Sequence, residues 1–478
     1  MAYYILKSYK LKFSSWEIFD VFSREKNCFF LDSSLSNYPL GRYSFLGIEP
    51  FFILKTKNQD PFKLLREQLE SYSIALSNCK LPFFGGAVGY LAYDLGFELE
   101  KKLKPINKPG LDIPDCFLGF YNTAVIIDHY KNLFYILALG FPEKRYYPAK
   151  KLAERNFKRI YDLICDYRLL RPLGARNDTG KGQFRNDICL ESNFTREQYI
   201  QAVKKAKEYI KQGDIYQVNL AQMFSAKTGL SAGRIYNRLR QVSPACFSAY
   251  FDTGDFQLIS SSPERFLKLE DNLVTTCPMK GTRPRSKNRL KDRGFRSALL
   301  RSSKDAAELM MIVDLERNDL GRVCSYDSIA VPKLRQLEEY STVFQTTASI
   351  SGRLHKNKDR CDLLRACFPG GSITGCPKIR AMEIIEELEP ARRSIYTGSL
   401  GYLSFSGDMD FNILIRTILK KDNLVYFGAG GGIVADSVPE DEYEETLVKA
   451  KGILEAMGSF GIFPPLKKGG LMHCNIDS

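Results

Sequence analysis

The chain has 478 residues, too many for one ordinary hydrophobic core, so it forms two or more domains or one large composite fold. Hydrophobic residues at 44% and charged residues at 26% describe a soluble globular protein, and a net charge of +14 is dispersed without a block of like charges. There is no arginine-rich arm or zinc-finger spacing, no apolar run approaching the roughly eighteen residues that span a bilayer, and no Cys-x-x-Cys pair among the 12 cysteines. A nucleic-acid binder, a membrane protein and a disulfide or zinc scaffold are thereby excluded, and the N-terminus lacks the apolar core of a signal peptide, so a cytoplasmic protein is expected.

Residues 1–170 read as a mixed region of strands and helices. Phe29 to Ser33 predicts a strand ending on polar residues, and Gly41 to Gly47 a second one bounded by glycines. Apolar spacing predicts helices over 62–73 and 149–167, and two paired strands over 123–128 and 133–139. Gly85 to Asp94 is rich in small residues, which suits close backbone packing. From Arg171 to Asn186 turn formers and charges dominate and periodicity is lost, so 171–191 reads as a linker. The second region spans 192–457, with a tail over 458–478. It opens on Thr195 as a helix cap, with Gln198 three residues on. That helix is expected to reach Gln212 and stop at Gly213, before a strand over 214–222.

The stretch Cys277 to Arg285 carries two prolines, one glycine and three cations. Pro278 and Pro284 stiffen its flanks and Gly281 permits a sharp bend, so Lys280 is predicted on a turn beside Arg283 and Arg285. Neighbouring cations disfavour the ammonium and push a lysine toward its nucleophilic amine. Glu264 lies at the far end of a predicted hairpin, from which it can face Lys280 as a proton donor. By itself, such a stretch reads as a solvated basic turn.

Further on, Asp305 and Glu308 share one face of a helix-like stretch over 304–315. Pro369 to Lys378 is a glycine-rich loop leading into a helix over 379–388, whose first N–H groups suit an anion. Cys376-Pro377 stands where a nucleotide-phosphate loop needs Lys-Ser/Thr. Phe427 to Ile433 imitates a dinucleotide fingerprint, but no helix follows directly. A glycine loop whose amides approach a carboxylate is expected instead. Pro439 opens the last helix, with Glu442, Glu445 and Lys449 on one face. Acidic pairs from two helices would make an oxygen-only site suited to Mg²⁺.

In this order, Asp214–Gln222, Ser262–Arg265, Pro278–Arg285, Asp314–Arg322, Pro369–Met382, Tyr396–Tyr402, Asp410–Thr417 and Gly430–Lys449 resemble the chorismate-utilising enzymes. These are anthranilate synthase component I, aminodeoxychorismate synthase component I, and the isochorismate and salicylate synthases. The resemblance covers nearly the whole chain and is strongest over 194–457. It implies an α+β fold, a large composite of antiparallel β-sheets packed together and flanked by helices. It implies Lys280 as nucleophile and Glu264 as proton donor. Gly281, Thr282, Tyr396, Arg416, Gly430, Gly431, Gly432 and Lys449 match substrate-binding positions. Glu308 and Glu445 match Mg²⁺ ligands, with Asp305 and Glu442 beside them.

Pro278-Met279-Lys280-Gly281-Thr282 is similar to the Pro-Ile-Lys-Gly-Thr of the aminodeoxychorismate synthases, where anthranilate synthases carry alanine for the lysine. The implied activity of component I converts chorismate and ammonia to 4-amino-4-deoxychorismate for 4-aminobenzoate and folate synthesis. The alternatives are anthranilate synthase component I, or a non-catalytic chorismate- or tryptophan-binding regulatory module. In feedback-inhibited relatives a tryptophan pocket lies near the positions of Leu31-Asp32-Ser33 and Ser243 to Phe247, and these strings depart from the inhibited pattern. No Gly-x-Cys-x-Gly nucleophile elbow is present, so the implied ammonia source is a separate glutamine amidotransferase subunit, component II. Many relatives carry a histidine where Gln345 stands. Glutamine cannot transfer a proton near neutral pH, so acid catalysis is expected to rest on Glu264, raised in pKa by burial, with Gln345 only orienting the leaving hydroxyl.

Overall fold

The computed structural model describes residues 3–35, 40–75, 81–170, 189–339 and 343–458, and a short strand at Lys467–Lys468. The expected hairpin of Thr123–Asp128 with Leu133–Leu139 forms, as do strands Phe29–Asp32 and Tyr43–Gly47, which pair with each other. Thr195 and Gln198 make a reciprocal capping box, and Gly213 ends that helix at φ 84°, a conformation glycine adopts without a Cβ penalty.

Two large antiparallel sheets dominate the molecule. Each draws strands from both sides of residues 171–188: Phe29–Asp32 pairs with Phe247–Asp252 in one, and Gly86–Leu91 with Ser399–Ser404 in the other. The sheets pack face to face on aromatic rings, with Phe29 against Tyr121 (centroids 4.6 Å apart) and Phe45 against Tyr402 (5.3 Å). Each ring buried in this way contributes about 2 kcal/mol. The small residues of 85–94 serve close packing as expected: a Cβ at Gly89 would lie 1.9 Å from the Phe117 carbonyl oxygen. No helix among the described residues is long and apolar enough to cross a membrane.

Several expectations need correction. Leu190 and Glu191, placed in the linker, belong to a strand bonded to Gln217–Lys227, while 171–188 lie outside the described residues. The strand expected from Asp214 starts at Gln217. Lys280 is not on a turn. It sits in the strand Met279–Pro284, which pairs with Val343–Arg353 and is bulged between Lys280 and Thr282, where Gly281 takes φ 76°. The glycine run is not a loop either. Gly428 to Gly432 form the end of the strand Leu424–Ile433, hydrogen-bonded to Gln217–Lys227. Glycine is a weak strand former, so its presence in a central strand marks close approach by other groups.

Candidate active site

Lys280 reaches its position by two local devices. Asp271 and Asn272, both at positive φ, close a two-residue hairpin between Arg265–Glu270 and Leu273–Cys277, setting Arg265 opposite Cys277. The chain then continues through Pro278 into the bulged strand. Glu264 and Lys280 thus flank one hairpin end, as expected, and the charge of Lys280 is felt at Glu264. The arginines do not crowd the lysine as expected: Arg283 binds Asp305 at 3.0 Å and Arg285 binds Asp292 at 3.0 Å. What meets the ammonium is Glu308, at 2.9 Å from Nζ.

The glycine strand is a thin partition. A Cβ on Gly432 would fall 2.8 Å from Lys280 Nζ and 2.9 Å from Gln217 Nε2. A Cβ on Gly431 would meet Glu442 Oε2 at 3.0 Å and Glu445 Oε1 at 3.5 Å. A Cβ on Gly428 would strike the Tyr396 ring at 2.3 Å. Side chains on this strand would therefore separate the groups the fold brings together. Lys449 binds the Gly430 carbonyl and Glu445, each at 2.7 Å.

The charges differ in how well they are met. Burial raises the Glu264 carboxyl to about 7, against a Ser372 hydrogen bond and the charges of Lys280 and Lys449, which favour the ionised form. Burial also raises Glu442, whose carboxylate accepts from Ser437 Oγ at 2.6 Å. Glu445 is held below the usual carboxylate range: burial raises it, but Lys449, Lys280 and Lys304 together outweigh that. Arg416 stands at φ 51° in a pocket with Pro263, Val343 and Gln345, and its guanidinium has no anionic partner among the described residues. Burial lowers its pKa, as for a cation taken from water without a counter-charge. Gln345 is buried and donates to Thr282 Oγ1 at 3.4 Å, linking the Arg416 pocket to the Lys280 strand.

No three carboxylate, histidine or cysteine side chains converge on one point among the described residues. Glu308 and Glu445 instead each face a lysine ammonium, Asp305 serves Arg283, and Glu442 serves Ser437.

Arg416 has no anionic partner among the described residues, Lys280 and Lys449 pair with Glu308 and Glu445, and Glu264 is buried; the family described as chorismate binding enzyme matches residues 26–455. The chain belongs to that family. It is 36% identical over 462 residues to anthranilate synthase component 1 of Acetivibrio thermocellus, covering 93% of this chain and 92% of the relative. It is 38% identical over 443 residues to aminodeoxychorismate synthase component 1 of Salmonella typhimurium, covering 89% and 92%. The crystal structure of anthranilate synthase component I from Streptococcus pneumoniae aligns with a TM-score of 0.75 at 31% identity, over 88% of this chain and 93% of that one. The expected α+β composite of packed antiparallel sheets is thus the fold of a solved relative.

Three polar neighbours of the site escaped the sequence reading. Gln217 is buried beside Lys280, and its Oε1 has no hydrogen-bond partner among the described residues. Ser372, in the short helical turn Gly371–Ile373, bonds Glu264. Lys304 contributes its charge at Glu442 and Glu445. Gln217 and Ser372 lay in strings already singled out for their resemblance, Asp214–Gln222 and Pro369–Met382, but an amide or a hydroxyl there gives no chemical signal of its own. A larger cavity of about 240 Å³ lies elsewhere, between the sheets, lined by Leu31, Asp32, Ser33, Cys246, Arg265 and Asp410. Asp32 is already taken by Arg240 Nε at 2.9 Å and Tyr236 Oη at 3.1 Å. Its carboxylate is therefore not free for an amino-acid ammonium.

Proposed function

We propose that the protein is an aminodeoxychorismate synthase component I. The observation that carries this reading is Lys280, a lysine on a bulged strand between Glu308 and Gly432, in the segment where anthranilate synthases carry alanine. Both kinds of relative match at similar identity, so the side chains of the site must decide.

Chorismate enters as a dianion, and Arg416 with Lys449 supplies its carboxylates with charge-assisted hydrogen bonds. Glu308 and Glu445 would hold Mg²⁺, being oxygen donors whose present partners are cations, an ion that commonly takes one or two carboxylates together with substrate oxygens and water. When bound, the ion neutralises and orients the ring carboxylate. Lys280 Nζ, as the neutral amine once its ammonium proton has passed to solvent, attacks ring C2 as the C4 hydroxyl leaves, protonated by Glu264 to depart as water. Ammonia then adds at C4 and the C2–N bond to lysine breaks, its electrons restoring the ring diene. The proton lost by the added ammonium returns to Glu264. Splitting the substitution into two covalent steps is what the nucleophile contributes. The ammonia source is a separate amidotransferase subunit, and the site lies in the cytoplasm.

The test is incubation of the purified chain with chorismate, Mg²⁺ and ammonium, with the product identified by mass and fluorescence. 4-Amino-4-deoxychorismate is expected. Anthranilate with release of pyruvate would show instead that C2 is aminated.

A further inference from the structure

Two buried acceptors at the site have nothing to accept. Gln217 Oε1 and Asn219 Oδ1 are both shut off from water, and neither has a hydrogen-bond partner among the described residues. Leaving a buried carbonyl oxygen unmet is costly, and such groups are rare. The backbone of Asn219 is fully used. Its N–H donates to the Thr374 carbonyl at 2.7 Å, and its carbonyl accepts from the buried Arg393 guanidinium at 2.7 Å. The idle group is the side-chain oxygen.

Strand register sets both oxygens on the face of Lys280. Gln217 and Asn219 stand two apart in the strand Gln217–Lys227, so their side chains share a face. Asn219 lies directly opposite Gly432. Opposed positions in an antiparallel pair point the same way, with Cβ atoms about 5 Å apart. The next rung on that face, Ala221 with Gly430, shows the alignment: a Cβ on Gly430 would lie 2.7 Å from the Ala221 Cβ. The space that a Gly432 side chain would take is bordered by Lys280 Nζ at 2.8 Å and Gln217 Nε2 at 2.9 Å. The lysine nitrogen and the two amides therefore meet around one space.

Two unmet acceptors beside one amine suit a nitrogen that carries two hydrogens and a positive charge. We propose that Asn219 Oδ1 and Gln217 Oε1 hold the secondary ammonium that Lys280 becomes when it bonds ring C2. The inference rests on the reading of Lys280 as the nucleophile. In that step the lone pair of the neutral amine forms the N–C2 bond, the two ring double bonds shift and the C4–O bond breaks. The oxygen leaves as water with the Glu264 proton. The nitrogen keeps both hydrogens and gains the charge, and each N–H donates to one amide oxygen. Hydrogen bonds from a charged nitrogen are about twice as strong as those from a neutral one, so the pair favours the intermediate, and the transition state leading to it, over the free amine. In the second step the nitrogen takes back the C2–N electrons and leaves as the neutral amine.

The test is rapid-quench intact-mass measurement of the full chain mixed with chorismate and Mg²⁺ without ammonium, which reads the adduct as chain plus chorismate minus water. Asn219→Leu and Gln217→Met each remove one acceptor at nearly constant volume. Each is expected to slow adduct formation about tenfold to a hundredfold, while calorimetric chorismate binding stays within about threefold of wild type. If one variant does not fold, as judged by circular dichroism, the other decides alone. Adduct formation at the wild-type rate in a folded variant overturns the proposal. So does a loss of chorismate binding as large as the loss of rate, which would make the role structural. Absence of any adduct in wild type overturns the reading of Lys280 as nucleophile and this inference with it.

Discussion

At the scale of single residues, the acid is the group whose environment departs most usefully from water. Glu264 is buried, and burial lifts it to about 7, so half of it is protonated near neutral pH. The acid form is the active one. Activity at saturating free ammonia is therefore expected to fall about tenfold per unit on the alkaline side of pH about 7. Glu264→Gln should cost roughly a hundredfold or more in kcat and remove that ionisation, whereas Gln345→Ala should cost less than about tenfold, because Gln345 only donates to Thr282. Equal damage from the two changes would mean that the roles are misassigned. Arg416 gives a separate test. A lone buried guanidinium awaiting a carboxylate should contribute about 1.5–3 kcal/mol to binding, so Arg416→Met should raise KM for chorismate roughly tenfold to a hundredfold with kcat less affected. Steady-state kinetics checks this, and an unchanged KM would remove Arg416 from the site.

At the scale of elements, the helices were legible and the site strands were not. Capping at Thr195, the stop at Gly213 and the start at Pro439 are local chemistry that the sequence displays directly. Lys280 and the glycine run were misplaced for one physical reason. Proline and glycine signal turns when read locally, but a long-range partner overrides them: Val343–Arg353 holds the lysine strand and Gln217–Lys227 holds the glycines. The glycines then earn their place by what they leave room for. Gly432→Ala meets only the flexible ends of Lys280 and Gln217, so it should fold with a near-native Tm and yet lose most activity. Gly430→Ala places its Cβ 2.5 Å from the Leu220 carbonyl oxygen, and should lower stability by about 1–3 kcal/mol. Thermal unfolding beside turnover separates the two. A fully active Gly432→Ala would show that Lys280 does not work against that strand.

At the scale of the whole molecule, the carboxylates and cations were recognisable by residue type, but which one meets which was not. Lys280 against Glu308, and Arg283 against Asp305, depend on a helix and a strand packing at a distance that no spacing rule reports. The interleaving of the two sheets was equally hidden, since strand partners lie more than two hundred residues apart, as with Phe29 and Phe251. A fragment ending at residue 188 leaves Phe29–Asp32 and Gly86–Leu91 without Phe247–Asp252 and Ser399–Ser404. Expressed alone it should aggregate or show no cooperative unfolding by circular dichroism, and a stable monomer would contradict this. The central claim, covalent catalysis by Lys280 on a site shared by both sheets, is met most directly by the products of Lys280→Ala. Purified with native circular dichroism and given chorismate, Mg²⁺ and ammonium, this variant should form almost no 4-amino-4-deoxychorismate while still binding chorismate, and a trace of anthranilate is compatible with loss of the nucleophile. Formation of 4-amino-4-deoxychorismate at the wild-type rate would contradict the account.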